Sequence, residues 1–428
     1  MEVSSTNSIN GEIKIPGDKS ISHRSAIISS LTIDTVIIKN YLFSQDCINT
    51  IEVLKKLGVT IEKLEENLVV YGKGIEGFKE PGDVLYVGNS GTTIRLLAGV
   101  LSATNFMSVL SGDSSINKRP MARIIKPLRE MGAQIYGREE NSKSPLVIFG
   151  NRNLKGRVFN IGISSAQVKS CIALAGLFAK GETEIIQPQI SRDHTERMLE
   201  FFRANIIFDG KYTKIIPDRK LKGNNLYVPG DISSAAYFIV ASLILKNSRI
   251  VIKDVGINPT RSYFLKLIQK MGANIKITNK RIINNEPIAD IESSSSMLKG
   301  LTVDRELIPN IIDEIPILCV AAAFAEGRTE ILGAKELRFK ESDRISSIAS
   351  QFKKAGVDIE EREDGLVING NKKLKISEGL LDSFGDHRIA MSLAILGLKS
   401  KRKIKILDSD CIETSFPSFK YELKKSLN

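Results

Sequence analysis

Pro16–Arg24 reads P-G-D-K-S-I-S-H-R, and Ala26, Ile27, Ile28 and Leu31 follow it at helical spacing. Proline and glycine mark a turn, and the apolar period behind them is that of a helix. Lys19, Ser20 and Arg24 crowd the point where that helix begins. Free backbone N–H groups and the positive end of the helix dipole favour an anion there, and cations and hydroxyls add charge-assisted donors. A single copy of this arrangement reads equally well as a capped surface helix with incidental basic residues. Its recurrence decides between the two.

Six segments share one plan, a small or polar turn followed by a helix rich in Ala, Leu and Ile: 20–31, 92–103, 166–179, 233–245, 313–325 and 387–398. A steady spacing of about 70 residues is the mark of internal repetition. These helices are apolar nearly all round, which places each of them in a core. A second phrase recurs between them. It reads L-K-K-L-G-V-T-I from Leu54, L-R-E-M-G-A-Q-I from Leu128, I-Q-K-M-G-A-N-I from Ile268 and F-K-K-A-G-V-D-I from Phe352, with a weaker F-F-R-A-N-I-I from Phe201. Each is an amphipathic helix, a C-cap glycine and an alternating strand. A further strand follows, as at Leu68–Tyr71 or Leu366–Asn369. The unit is β-α-β-α-β-β, present six times. The expected fold is α+β, with two similar domains of three units each. The expected boundary lies near Pro229-Gly230 with the N-terminal strand crossing over, so that 1–17 and 229–428 form one domain and 18–228 the other.

The 428 residues carry 61 Lys+Arg against 49 Asp+Glu, a surplus of +12. Such a surplus suits nucleic acid, an anionic membrane face or small acidic substrates. Aromatic residues are only 6% with no Trp, and they do not interleave with the basic motifs. Stacking platforms and a basic arm for nucleic acid are therefore not expected. Small anionic metabolites are the expected partners, with no nucleic acid and no membrane. Cys47, Cys171, Cys319 and Cys411 lie far apart, and Cys171 and Cys319 fall in apolar runs. Buried free thiols are expected rather than disulfides or zinc ligands. His23, His194 and His387 all sit inside polar motifs without ligand-like spacing. Orienting hydrogen bonds are the expected role, and neither metal nor cofactor is expected. Residues 1–15 hold no apolar leader core, and no apolar run has membrane length, so a cytoplasmic location is expected.

The polar motifs hold the candidate chemistry. G-N-S-G-T-T-I-R (88–95) offers donors at a helix start, or else an N-cap and a structural Arg95. G-D-S-S-I-N-K-R-P-M (112–121) sets Lys118 and Arg119 on a loop, and S-S-A-Q-V-K-S (164–170) puts hydroxyls and an amide at another helix start. I-S-R-D-H-T-E-R-M-L (190–199) reads as a salt-bridged exposed helix or as a site to which Arg192 contributes. D-I-S-S-A (231–235) reads as capping. In I-D-E-I-P (312–316), Asp313 and Glu314 precede the most apolar helix, where an acid without a role is costly. In K-E-L-R-F-K-E-S-D-R-I (335–345), Lys340 and Arg344 share a face if the segment is helical, with Glu341 between them. That carboxylate is a proton carrier or a rung of a surface ion-pair ladder. G-D-H-R-I-A-M (385–391) sets Arg388 at the last buried helix.

Taken in order from Pro16 to Arg388, these motifs closely resemble those of the 5-enolpyruvylshikimate-3-phosphate synthase (EPSP synthase) family. The resemblance implies an enolpyruvyl transferase fold, an inverse α/β barrel in two domains with a cleft between them. It implies a monomer that needs no cofactor. The reaction implied is addition of the 5-hydroxyl of shikimate 3-phosphate to C2 of phosphoenolpyruvate, then loss of phosphate from a tetrahedral intermediate. Lys19, Ser20, Arg24, Ser165, Ala166, Gln167, Arg192, Asp313 and Lys340 resemble the shikimate 3-phosphate contacts. Lys19, Gly91, Arg119, Gln167, Arg344 and Arg388 resemble the phosphoenolpyruvate contacts. Asp313 resembles the base at the attacking hydroxyl, with Lys340 beside it, and Glu341 the proton-transfer carboxylate; Lys19 shares in the catalytic set. Gly91 matches the family's glyphosate-sensitive form. One departure stands out: Glu413, Thr414 and Ser415 precede Phe416-Pro417 where many relatives carry a lysine. Two other readings compete. A transferase of the same fold acting on UDP-N-acetylglucosamine requires a reactive loop cysteine, and no cysteine here lies in a polar loop near Arg119. A basic RNA-binding protein of repeated α/β units would retain RNA in a salt-dependent way, against the scarcity of aromatics.

Overall fold

The computed structural model describes residues 1–427 apart from 218, 219 and 378. Its longer helices, in chain order, are α1 (Lys19–Ser30), α2 (Gln45–Lys56), α3 (Gly91–Leu101), α4 (Ala122–Glu130), α5 (Ala166–Gly176), α6 (His194–Phe201), α7 (Ile232–Ile244), α8 (Tyr263–Lys270), α9 (Ile315–Ala323), α10 (Arg344–Lys354), α11 (His387–Gly397) and α12 (Phe419–Ser426). The odd-numbered helices are the ones expected to be apolar nearly all round, and they are buried almost end to end, although α1 buries Ser22, His23, Arg24, Ser25, Ser29 and Ser30 beside its apolar residues. Their polar first turns explain where each begins. Asp18 caps α1, Ser90 α3, Ser165 α5, Asp231 α7 and Asp386 α11, each side chain accepting from a first-turn N–H. Asp231 thus does the capping its motif suggests. The α9 start is different: Pro316 occupies its first turn, where a missing N–H costs nothing.

The even-numbered helices from α2 to α10 bury one face and end as their recurring phrase predicts. Gly58, Gly132, Gly272 and Gly356 take φ of +86, +96, +97 and +89 after α2, α4, α8 and α10. The weaker copy behind α6 has no glycine, and Arg203 is held at φ +62 instead. Each phrase then feeds a sheet. Thr35–Lys39 and Thr60–Leu64 flank Asn67–Tyr71 antiparallel, and Leu226–Tyr227 adds parallel to Thr35–Lys39. Four more sheets repeat this order. The sixth copy departs from the plan: Ile404–Leu407 pairs with Leu380–Asp382 and with Glu2–Val3, in a three-stranded sheet. The chain beyond it carries no glycine phrase and forms a 3-10 turn (Ser409–Thr414) and α12 instead of a hairpin.

Two compact units result. One consists of Met1–Pro16, Gly230–Arg281 and Pro287–Asn428, the other of Gly17–Pro229 and Ile282–Glu286. In the first, Asn10–Ile13 runs parallel to Arg249–Gly256, which ties the N-terminal strand to the C-terminal half. Residues 282–286 differ from the undivided span 229–428 expected above. They are the tip of a hairpin whose first strand, Asn274–Ile283, has ten residues against five in Thr60–Leu64. That overshoot carries Asn284 and Asn285, both in left-handed backbone, onto the neighbours Tyr227 and Glu200 of the second unit.

In the second unit α1, α3 and α5 share one core, and in the first α7, α9 and α11 do. At Gly99 a Cβ would collide with the Cys171 carbonyl, so only glycine lets α3 and α5 come together along their backbones. Cys47, Cys171 and Cys319 are free and buried and Cys411 is half-buried, and burial pushes the Cys171 thiol up to about 12. No helix among the described residues is long and apolar enough to cross a membrane.

The C-cap geometry gives a two-sided test. A Cβ on Gly356 meets nothing within 4 Å, so Gly356→Ala carries only the backbone penalty and is expected to cost about 1 kcal/mol. Arg203→Gly relieves the same strain and is expected to gain about 0.5 kcal/mol, less the added chain entropy. Urea unfolding of both variants checks the opposite signs.

Candidate functional site: two basic half-sites

In the unit built on α1, α3 and α5, the polar helix starts are close to one another through side-chain bonds. Lys19 Nζ, on the first residue of α1, is paired with Asp46 Oδ2 at 2.5 Å. Arg24 is buried one turn further on. Its Nε donates to Thr195 Oγ1 at 2.7 Å, Nη1 to the Ser20 carbonyl at 3.0 Å and Nη2 to Ser170 Oγ at 3.1 Å. Burial pulls this guanidinium down to about 10, with Glu196 and Asp18 opposing, so it stays charged near neutrality.

The second and third helix starts are joined by an amide. Gln167 Oε1 accepts from Arg95 Nη1 at 2.5 Å, and Gln167 Nε2 donates to Thr92 Oγ1 at 3.0 Å. Arg119 Nη2 donates to Asn89 Oδ1 at 2.6 Å. A Cβ built on Gly91 would stand 2.9 Å from Arg95 Nη1 and 3.1 Å from Arg119 Nη1, closer than a real Cβ tolerates without movement. Ser165, Ala166 and Gln167 are half-buried at the start of α5, as is Arg192 before α6. Beneath them His23 Nδ1 lies 2.7 Å from Thr50 Oγ1, and Thr50 Oγ1 lies 2.6 Å from Thr93 Oγ1. Burial first, then Lys19 and Arg24, hold the His23 pKa well below its ordinary value. It is a neutral strut between helices.

The segment 190–199 is not an exposed ion-pair ladder. Asp193, His194, Thr195 and Glu196 are all buried. Glu196 Oε1 pairs with Lys169 Nζ at 2.5 Å, and Glu286 Oε1 with His194 Nδ1 at 2.7 Å. Thr195, Ser170, Lys169, Glu196 and Glu286 are the members of this cluster that the motifs did not single out. The first two lay inside quoted motifs as plain hydroxyls. Glu286 had no local signal at all.

In the other unit, Arg344 opens α10 and is 1% exposed. Three carboxylates surround it. Nε donates to Asp386 Oδ2 at 2.8 Å, Nη2 to Glu341 Oε2 at 2.5 Å and Nη1 to Asp313 Oδ1 at 3.4 Å. Arg388 Nη1 donates to the Asp313 carbonyl at 3.0 Å, and its Nε is 3.6 Å from Asp313 Oδ1. Burial works against the charge of both arginines, but the neighbouring carboxylates outweigh it and raise both above the usual arginine range. Lys340 does not share a helix face with Arg344. Asp343 caps α10 by accepting from the Ser346 N–H at 3.1 Å, so the helix starts only at Arg344 and Lys340 lies in extended backbone before it. Glu341 reaches Arg344 across that lead-in rather than along a helix.

Glu314 is the buried acid that the apolar context made costly. Its Oε1 accepts from Arg261 Nη1 at 2.5 Å, and Arg261 also reaches Asp231 and Ser233. Arg261 was not singled out in the sequence; its only signal is an arginine at a turn just before α8. Among the described residues no group of three or more His, Cys, Asp or Glu side chains is arranged to hold a metal ion.

The family model described as EPSP synthase (3-phosphoshikimate 1-carboxyvinyltransferase) matches residues 3–423. The chain belongs to the EPSP synthase family. It is 49% identical over 423 residues to the 3-phosphoshikimate 1-carboxyvinyltransferase of Petrotoga mobilis, covering 98% of this chain and 97% of that relative. Identity to the Geotalea daltonii protein of the same name is 48% over 412 residues, covering 96% and 95% of the two chains. The solved EPSP synthase of Acinetobacter baumannii superposes with a TM-score of 0.89 at 42% identity, over 100% of this chain and 98% of that one. The two-domain fold of repeated units is thus that of EPSP synthases.

For an EPSP synthase lacking the lysine before Phe416-Pro417, that element still has a packing role. Phe416 is fully buried, 5.6 Å from the Phe419 ring and 6.0 Å from Phe238. Thr414 Oγ1 donates to the Cys411 carbonyl at 2.7 Å, which closes the turn.

The acid cage around Arg344 makes a prediction about stability. Asp386→Ala removes its most deeply buried carboxylate and the α11 cap together, and is expected to cost about 3 kcal/mol or more. Asp386→Asn keeps the shape and should cost less. Urea denaturation followed by far-UV circular dichroism measures both.

Proposed function

We infer that this chain transfers the enolpyruvyl group of phosphoenolpyruvate to the 5-hydroxyl of shikimate 3-phosphate and releases phosphate, as a step of the shikimate pathway. The family match over residues 3–423 carries this reading. Lys19, Ser20, Arg24, Ser165, Ala166, Gln167 and Arg192 hold shikimate 3-phosphate. Lys19, Gly91, Arg119, Gln167, Arg344 and Arg388 hold phosphoenolpyruvate. The clustering of the first set around the starts of α1 and α5 supports it, since buried helix N-termini present N–H donors to a phosphate at no cost in reorganisation.

Around Arg344 and Arg388 stand Asp313, Glu341 and Asp386, so these arginines are already largely neutralised. A second polyanion needs further cations, and Lys19 and Arg119 supply them. An arriving phosphate competes with Asp46 for Lys19 and with Glu341 for Arg344. That exchange frees Glu341 as substrate binds.

Asp313 takes the proton of the 5-hydroxyl as its oxygen bonds to C2 of phosphoenolpyruvate. Either the Lys19 ammonium or Glu341, once it has left Arg344 and taken up a proton from solvent, delivers a proton to the methylene carbon, which becomes a methyl group in the tetrahedral intermediate. As phosphate leaves, the same group takes one methyl proton back and the double bond is restored. The two arginine contacts fix the Asp313 carboxylate, which with Lys340 also holds shikimate 3-phosphate. The enzyme acts as a monomer in the cytoplasm, on two small anions and without nucleic acid.

Phosphate release from phosphoenolpyruvate, measured with and without shikimate 3-phosphate, tests the reading; release independent of shikimate 3-phosphate would overturn it. Lys19→Met and Glu341→Gln are expected to abolish turnover while circular dichroism stays unchanged. Asp313→Asn is expected to lower kcat by about 10²- to 10⁴-fold and to leave shikimate 3-phosphate binding intact by calorimetry. Gly91→Ala, whose Cβ crowds Arg119, is expected to raise KM for phosphoenolpyruvate and to weaken inhibition by glyphosate. Unchanged values for both would remove Gly91 from that site.

A further inference from the structure

The hairpin tip Ile282–Glu286 is fastened to its unit at three points. Asn284 Nδ2 donates to the Tyr227 carbonyl at 2.6 Å. Arg197 Nη1 donates to the Asn285 carbonyl at 2.8 Å, and Asn285 Nδ2 to Glu200 Oε2 at 3.0 Å. Glu286 Oε1 lies 2.7 Å from His194 Nδ1, and the two residues are 5% and 2% exposed. The hollow beside Glu286 is lined mainly by Ile21, Met198, Phe201 and Leu226. An apolar side chain would fill that place without the cost of desolvating a carboxylate. The acid makes sense only through its polar neighbours. It bonds His194, and its field reaches Arg24 and Arg197.

His194 is the first residue of α6, and the next residue is Thr195. Thr195 Oγ1 accepts from Arg24 Nε at 2.7 Å and lies 2.6 Å from Ser170 Oγ, which accepts from Arg24 Nη2 at 3.1 Å. We propose that Glu286 is a positioning residue for the shikimate 3-phosphate half-site: it fixes His194 at the start of α6, so that Thr195 and Ser170 hold the Arg24 guanidinium in place. The proposal rests on Arg24 binding that substrate. It makes a five-residue tip, supplied by a hairpin of the other half of the chain, part of the substrate-binding apparatus.

Shape and charge separate a positioning role from simple packing. Glu286→Gln keeps the size and removes the charge, whereas Glu286→Asp shortens the side chain and keeps the charge. Calorimetric titration with shikimate 3-phosphate is expected to show about tenfold weaker binding for Glu286→Gln and a smaller loss for Glu286→Asp. KM for phosphoenolpyruvate and kcat at saturation should stay within about twofold of the parent. Glu286→Gln binding as tightly as the parent, or more tightly than Glu286→Asp, overturns the proposal. So does a loss spread equally over kcat and both substrates. Arg24→Lys run alongside distinguishes the two levels. If it weakens shikimate 3-phosphate binding while Glu286→Gln does not, only the proposal falls; if neither does, the assignment of Arg24 falls with it. Should Glu286→Gln not fold, the Asp variant alone decides, with binding equal to the parent's counting against the proposal.

Discussion

A guanidinium taken out of water must be met by acceptors, and the strongest of these are carboxylates. Arg344 is the extreme case here, 1% exposed and bonded to Asp386, Glu341 and Asp313. Most of what surrounds the two half-sites follows from that requirement. Asp386 both caps α11 and neutralises Arg344, so the start of one helix is set by the start of another. Asp313 is held by its carboxylate and its carbonyl at once, from Arg344 and Arg388. Behind it, Glu314 and Arg261 repeat the arrangement one layer deeper. The same logic runs through the other unit, where Lys19 leans on Asp46 and Lys169 on Glu196. Breaking one member of such a pair leaves an uncompensated charge, which is far costlier than the pair is stabilising.

Repetition made most of the fold legible. Apolar helices at a regular spacing, each behind a Ser or Asp cap, and the glycine phrase at Leu54, Leu128, Ile268 and Phe352 are local signals, and local signals are what a sequence displays directly. The last copy failed to follow the pattern where its glycine phrase was missing, at Ile404–Leu407. Arg203 shows the opposite case, a position that kept its geometry after losing its glycine.

The candidate site was legible where a charged group sits at or just before a helix start, as with Lys19, Asp313 and Arg388. It was not legible where the partner comes from elsewhere in the chain. Glu196 and His194 look like surface charges because their partners, Lys169 and Glu286, are distant in sequence. Lys340 and Arg344 look like one helical face because four-residue spacing is silent about Asp343 stopping the helix between them. Glu286 carries no local mark and Arg261 only its place at a turn, since burial and pairing are properties of the tertiary structure alone.

The chain leaves one unit at Pro16 and re-enters it at Gly230, and within the other unit the Asp18 N–H donates to the Pro229 carbonyl at 2.7 Å. By that closeness of ends, residues 17–229 have the form of an insertion that could be excised intact. They are not self-sufficient. An excised segment would lack the asparagine and glutamate plugs at 284–286, exposing the flank of α6 and the backbone of Tyr227 to water. A protein cut down to residues 17–229 is therefore incomplete without the hairpin tip at 282–286.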